Sequence, residues 1–115
     1  MSDPTSTSGS WPRKQRFKRI KRRVTCDLML DGQPHSGLVT DMSANGLYVR
    51  TRQRPGIGAT LQLVLHEPDG ELELRVRVAR DHRMSAHNTT GTPSGLGVTI
   101  VSAPERYFQR LVELT

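Results

Sequence analysis

Polar and apolar residues alternate along most of the chain after residue 20. The clearest stretch is 71–78, where leucines and valines occupy the even positions and glutamates and arginines the odd ones. A period of two places alternate side chains on opposite faces of a β-strand. The pattern therefore predicts a strand with one buried face and one solvent face.

Five more strands are predicted from similar short segments. They lie at 24–30, 38–40, 47–49, 61–65 and 96–100. Turn signals separate several of them, namely Asp31-Gly32, Pro55-Gly56 and Pro68-Asp69-Gly70. Six short, half-buried strands predict an all-β fold, either an antiparallel barrel or a sandwich, and closing the sheet into a barrel removes exposed edges.

The apolar positions of these strands are the predicted core. They are Val24, Cys26, Leu28, Leu47, Val49, Leu61, Leu63, Leu72, Leu74, Val76, Leu96 and Val98.

The end of the chain changes from a period of two to a helical period. Apolar residues fall at i, i+4 and i+7, at Tyr107, Leu111 and Leu114, which is typical of a helix with one apolar stripe. Ser102 followed three residues later by Glu105 is the pattern of a capping box. The sequence therefore predicts a C-terminal α-helix over 103–114 that docks on the strands.

Positive charge is concentrated near the start of the chain. The net charge is +6, but residues 1–23 hold eight of the 17 Lys and Arg and one of the 11 Asp and Glu. This basic arm, residues 13–23, suits a polyanion such as a nucleic acid, an acidic membrane surface or a phosphorylated small ligand, or it is a solubilising segment. Residues 1–12 are rich in Ser, Thr and Pro and predict a disordered tail, so the folded domain is expected over 13–115.

Several classes of protein are disfavoured by the sequence. No apolar run exceeds three residues, and the N-terminus has no apolar segment typical of a secretory signal, so we expect a cytoplasmic protein without membrane insertion. Cys26 is the only cysteine, so no disulfide within the chain is possible, and its place in an apolar alternation predicts a buried thiol.

Catalytic motifs are not found in the sequence. It contains no GxSxG, HExxH or phosphate-binding P-loop pattern. The four histidines show no ligand spacing; His82 and His87 lie five apart without cysteine partners, which leaves zinc as a weak alternative. We therefore predict a binding protein, not an enzyme, with no catalytic residues and no metal.

Two segments carry candidate ligand-binding residues. Arg19 and Arg23 lie four residues apart in the basic arm, and Asp41, Ser43 and Gly46 lie in a predicted turn. Guanidinium groups grip phosphates and stack on purines. A carboxylate accepts hydrogen bonds from the N1–H and N2–H₂ edge of guanine, and a glycine lets the backbone approach a ligand. The combination suits an anionic, guanine-bearing ligand.

These segments resemble the PilZ domain family over about residues 13–114. The resemblance rests on RxxxR before the first strand, DxSxxG after the second, and GLGV in the last strand with a helix behind it. It implies a six-stranded antiparallel β-barrel with a C-terminal α-helix. It also implies a bacterial receptor for the second messenger cyclic di-GMP, with Arg19 and Arg23 on phosphates and guanines, and with Asp41, Ser43 and Gly46 completing the pocket.

Two registers of the arginine motif fit the sequence. In the second register Arg19 is the second arginine of the motif, within Arg16-Phe-Lys-Arg19-Ile, and Gln15 replaces the first arginine. Arg80 stands near the place where many members of the family carry an aromatic residue. The expected function is second-messenger signalling by a stand-alone receptor that relays cyclic di-GMP binding to a protein partner.

Two other functions are alternatives to that expectation. A degenerate PilZ-like adaptor would not bind cyclic di-GMP and would act through protein contacts alone. Nucleic-acid binding through the basic arm is disfavoured, because few of the five aromatic residues fall in the predicted strands where they could stack on bases.

Overall fold

Six antiparallel strands close into a barrel in the computed structural model, which describes residues 18–82 and 94–115. The strands are β1 (Ile20–Leu30), β2 (Gln33–Met42), β3 (Gly46–Arg50), β4 (Thr60–Glu67), β5 (Gly70–His82) and β6 (Gly95–Ser102), and one helix, α1 (Glu105–Leu114), follows them. Their order around the barrel is β1-β2-β3-β6-β5-β4, and β4 pairs with β1 to close it. The predicted fold class is confirmed, and the sandwich alternative is excluded.

The first hairpin extends further than the alternation predicts. β1 begins at Ile20, so the last four residues of the basic arm are already strand. Asp31 and Gly32 adopt φ values of 53° and 76°, the left-handed pair of a tight two-residue hairpin turn. Because such a turn lets pairing start at once, Leu30 pairs with Gln33 and β2 begins there, although its first residues are polar or small.

All twelve predicted core residues are buried. The core also includes residues that the prediction did not name: Val39, Met42, Leu65, Val78, Tyr107 and Leu111. Cys26 lies within this cluster at 2 % exposure, as expected. Alternation therefore identified the inward face of nearly every strand correctly.

The helix starts later than predicted. α1 begins at Glu105 behind Pro104, which is extended and contributes no side-chain cap. The assignment of Ser102 as N-cap is wrong, because Ser102 is the last residue of β6 and pairs with Arg75 of β5. The apolar stripe is nevertheless correct in part, since Tyr107 and Leu111 are buried.

Ion pairs connect α1 with the β4–β5 hairpin. Arg106 and Arg110 both bind the Asp69 carboxylate in the hairpin turn, and the Arg110 Nε lies 3.6 Å from Oε1 of buried Glu67. Within residues 18–82 and 94–115, no helix has the length and apolar composition needed to cross a bilayer. The predicted tail, residues 1–12, lies outside the described residues, as do 13–17 and 83–93.

Candidate functional site

A groove of about 800 Å³ lies on the outer surface of the barrel. We call it the main groove. Four strands and one loop contribute its lining: Arg19, Lys21, Thr40, Asp41, Tyr48, Arg50, Ile57, Ala79, Arg80, Asp81 and His82. Arginines, one lysine and two aspartates dominate the walls, so the groove suits a polar, anionic ligand that also offers hydrogen-bond donors.

Glycines of β6 give room for side chains from the two neighbouring strands. Gly97 pairs with Tyr48 of β3 on one side and with Arg80 of β5 on the other. A Cβ at Gly97 would lie 3.1 Å from the Arg80 Nε, and a Cβ at Gly95 would lie 2.9 Å from the Tyr48 ring. Because directly paired residues point to the same face of a sheet, the Arg80 guanidinium lies over Gly97, and the Tyr48 ring lies over Gly95.

The turn between β2 and β3 is rigid and internally hydrogen-bonded. The Ser43 hydroxyl accepts hydrogen bonds from the Asn45 and Gly46 amides and lies 2.7 Å from the Asn45 Oδ1. Ser43 is 2 % exposed, so its hydroxyl holds the shape of the turn. A Cβ at Gly46 would come within 2.6 Å of the Val98 carbonyl oxygen, so only glycine allows this close approach of β3 to β6.

Asp41 faces the main groove and is paired in the described structure. The Lys21 Nζ lies 3.2 Å from the Asp41 Oδ1, across the β1–β2 ladder. The Lys21 side chain is 87 % exposed and that of Asp41 is 17 % exposed. An exposed lysine pairs weakly because solvent screens it, so the carboxylate remains accessible to a ligand that offers better donors.

Arg19 lies beside both the groove and the turn. It lines the main groove with Asp41, and it also lines a recess of about 160 Å³ together with Gly46 and Arg80. The structure therefore brings Arg19, Asp41 and Gly46 together, which are three of the five predicted ligand-binding residues. Ser43 belongs to the same turn but is buried beneath it.

Arg23 lies elsewhere. It lines a second, shallow depression of about 540 Å³ with Arg50 and Arg52, which we call the arginine depression. Its neighbour Arg22 points inward, where its Nη1 lies 2.7 Å from the Oε2 of Glu67, whose side chain is fully buried. Adjacent arginines of the basic arm thus have different surroundings, and Arg22 has a structural partner.

Sequence reasoning did not name Tyr48 or Arg50 as site residues. Both occupy outward positions of β3, and the available signal was their alternation with buried Leu47 and Val49. Burial raises the pKa of the Tyr48 hydroxyl, and the charges of nearby arginines, including Arg50, oppose that rise. The ring therefore lies in a positive environment, next to the wall where an anion would bind.

No metal centre is found among the residues that the structure describes. There, no three His, Cys, Asp or Glu side chains are grouped to hold a metal ion. His82 lines the main groove, and His87, its proposed partner in a zinc site, lies outside the described residues.

Comparison with known proteins agrees with the fold and the motifs. The family model of the PilZ domain matches residues 13–115. The solved PilZ domain of YcgR from Escherichia coli, a structure with cyclic di-GMP, superposes with a TM-score of 0.67 at 19 % identity, covering 88 % of this chain and 91 % of that one.

A second solved structure, the Bacillus subtilis inhibitor of motility MotI/DgrA, also has a TM-score of 0.67, at 14 % identity. The alignment covers 87 % of this chain but only 48 % of MotI. No curated protein sequence matches the chain significantly.

Proposed function

The chain belongs to the PilZ domain family, a family of cyclic di-GMP receptors, and on that premise we propose that its main groove binds cyclic di-GMP. The observation that carries the proposal is the convergence of Arg19 and Asp41 on the main groove, with Gly46 in the adjoining recess that Arg19 also lines. Arg19 supplies a guanidinium and Asp41 a carboxylate, and Gly46 lets β3 approach β6 closely beside them.

The chemistry of the groove matches the parts of this ligand. Cyclic di-GMP carries two phosphates and two guanines, and Arg19 and Arg80 offer guanidinium groups that bind phosphate or stack on a base. The Asp41 carboxylate accepts hydrogen bonds from a guanine edge once it leaves Lys21. Tyr48 provides an aromatic ring in the lining of the groove, on which a planar base stacks.

Relay of the signal to a protein partner is the second part of the proposal. The turn that ends β2 is tied to α1, because the Tyr107 hydroxyl donates to the Ser43 carbonyl. A ligand that binds this turn therefore acts on a segment connected to the surface of the helix. A partner that reads that surface would sense the difference between the free and the bound protein.

The proposal is tested by calorimetric titration with cyclic di-GMP. We expect Arg19→Ala and Asp41→Ala each to weaken binding about 10- to 150-fold, the scale of one lost charge-assisted hydrogen bond. Arg77→Ala is the matched control, because Arg77 is an exposed arginine of β5 that does not line the main groove. Its affinity should stay within about threefold of the wild type.

The same titration decides between receptor and adaptor. No binding by the wild type at about 100 μM ligand would reject the receptor function and favour the adaptor that acts through protein contacts alone. GMP should bind far more weakly than cyclic di-GMP, since it carries one base and cannot engage both walls of the groove.

The two registers of the arginine motif give different results for Arg23. Loss of cyclic di-GMP affinity in Arg23→Ala supports the register with Arg19 and Arg23 as the ligand-binding pair. Unchanged affinity in Arg23→Ala supports the other register, in which Gln15 replaces the first arginine and Arg19 alone of the pair remains. Arg19 binds the ligand in both, so its variant tests the site and not the register.

A further inference from the structure

The arginine depression collects three arginines from two separate segments of the chain. Arg23 lies in β1, Arg50 ends β3, and Arg52 lies in the following loop, and all three side chains are exposed. Leu38 of β2 lies between the two strands, since it pairs with Thr25 on one side and with Arg50 on the other. Arg23 therefore lies near Arg50 and Arg52 because the barrel places β1 and β3 on either side of β2.

These arginines lack the carboxylate partners that other arginines have. Arg22, Arg54, Arg106 and Arg110 each lie against an Asp or Glu side chain. No carboxylate within salt-bridge distance is found for the three arginines of the depression among the described residues, and none lines it. The sequence between residues 82 and 94 contains no Asp or Glu either. Like charges gathered without a counter-ion favour binding of an anion.

The residues that line the arginine depression indicate which kind of anion it binds. Its other described residues are small, polar or aliphatic, and none is aromatic, so a nucleobase would find no ring to stack on. The Thr51 hydroxyl donates to the Ser36 carbonyl at 3.3 Å, and the guanidinium groups are the charged donors among the described residues of the depression. Guanidinium forks bind carboxylates through two parallel hydrogen bonds.

We propose that the arginine depression binds an acidic segment of a protein partner, through at least two Asp or Glu carboxylates. The depression is shallow and its arginines are exposed, so it fits side chains presented by another protein surface better than a small molecule that must be enclosed. Charge complementarity of this kind also speeds association with the partner.

Arg50 connects this site with the main groove, because it lines both. Two anions bound close to the same guanidinium repel each other. An anion in the main groove should therefore weaken binding of the acidic segment, and the reverse must hold to the same extent. This coupling rests on the proposed function, whereas binding of the acidic segment does not.

The experiment uses a fluorescent hexaglutamate peptide as the probe and measures anisotropy on the full chain at about 50 mM salt, where surface charges are weakly screened. We expect Arg23→Ala and Arg52→Ala each to weaken peptide binding about three- to tenfold, and the control Arg77→Ala to change it less than twofold. Equal losses in all three variants, or no binding by the wild type, would overturn the proposal. A hexathymidylate that binds more tightly than the peptide and responds to the same variants would also overturn it, in favour of a nucleic acid.

Arg52→Ala separates this site from the cyclic di-GMP site, since Arg52 lines only the depression. We expect this variant to lose peptide affinity while its calorimetric titration with cyclic di-GMP is unchanged. If the wild type binds the peptide but not cyclic di-GMP, the proposed function fails and the acidic-segment site stands. If cyclic di-GMP binds and leaves the peptide affinity of the wild type unchanged, the coupling through Arg50 is rejected.

Discussion

The Tyr107 hydroxyl donates a 2.7 Å hydrogen bond to the backbone carbonyl of Ser43. Tyr107 is fully buried in α1, and Ser43 begins the turn that borders the recess lined by Arg19 and Gly46. Burial raises the pKa of the Tyr107 hydroxyl, so the hydroxyl stays protonated and able to donate near neutral pH. The helix and the turn between β2 and β3 are therefore directly connected.

We expect Tyr107→Phe to lower the free energy of unfolding by about 1–2 kcal/mol, because the buried Ser43 carbonyl loses its donor while the ring remains. Urea denaturation measures the change. Phe108→Leu is the control, since Phe108 is 38 % exposed and should change stability by less than about 0.5 kcal/mol. Equal effects of the two substitutions would show that the hydrogen bond does not stabilise the helix on the barrel.

Arg22 and Arg23 are neighbours in the sequence, but substitution of Arg22 should destabilise the protein and substitution of Arg23 should leave its stability nearly unchanged. Arg22→Ala should lower the free energy of unfolding by about 3 kcal/mol, because it leaves the fully buried Glu67 carboxylate with only Arg110, at 3.6 Å. Arg23→Ala should change it by less than about 0.5 kcal/mol, since Arg23 is exposed. Urea denaturation of the two variants compares them directly, and similar midpoints would contradict a structural role for the Arg22–Glu67 ion pair.

The buried thiol of Cys26 should make the protein less stable at alkaline pH. Burial, and secondarily the charge of Asp27, raises the pKa of Cys26 from 9.0 to about 12. Below pH 9 the thiol is protonated in both the folded and the unfolded state, so its contribution to the free energy of unfolding is fully present. Between pH 9 and about 12 only the unfolded chain releases the proton, so the free energy of unfolding falls, by at most about 1.4 kcal/mol per pH unit.

Urea unfolding at pH 7 to 10 tests this dependence, with Cys26→Ala as the comparison. The variant should be less stable at pH 7, because it leaves a small cavity, but its stability should fall less steeply above pH 9. Tyr48 and Tyr107 also have raised pKa values, so a shallower decline should remain in the variant. Identical slopes in the two proteins would show that the Cys26 thiol ionises as easily in the folded state as in the unfolded one.

Most of the fold was predictable because the period of two is strong where a strand has one buried face. β5 shows this best, since its leucines and valines are buried and its glutamates and arginines are not. β2 was predicted too short, because its first residues, among them Pro34, Ser36 and Gly37, show no apolar alternation. They form a strand because they pair with β1. The N-terminus of α1 was misplaced, because Ser102 suits an N-cap locally but is held in the β5–β6 ladder.

The site was less predictable than the fold because strand register decides which residues meet. Register shifts occur between Lys21 and Val24 in β1, next to Thr40 in β2, and between Val78 and Arg80 in β5. Such bulges change the direction in which side chains point, and alternation in one sequence does not reveal them. The motifs identified Asp41 and the turn, but neither the separation of Arg19 from Arg23 nor the structural role of Arg22 is visible in a run of basic residues.

Substitutions at Gly46 and at Gly97 should have contrasting effects on stability. A Cβ at Gly46 would come within 2.6 Å of the Val98 carbonyl oxygen, which belongs to the backbone of β6 and cannot move without disturbing the sheet. Gly46→Ala should therefore lower the free energy of unfolding by about 1–3 kcal/mol. A Cβ at Gly97 would meet the Arg80 side chain at 3.1 Å, and a flexible side chain can give way. Gly97→Ala should thus change stability by less than about 0.5 kcal/mol.

The same two variants differ in what they do to the main groove. In Gly97→Ala the new methyl group enters the space between Tyr48 and Arg80 and displaces the guanidinium, so cyclic di-GMP should bind about tenfold more weakly to a protein of normal stability. Urea denaturation followed by calorimetric titration separates the two readouts. Unchanged cyclic di-GMP affinity in Gly97→Ala, with the wild type binding, would place the ligand elsewhere in the groove. Wild-type stability of Gly46→Ala would show that β3 and β6 can move apart at the turn.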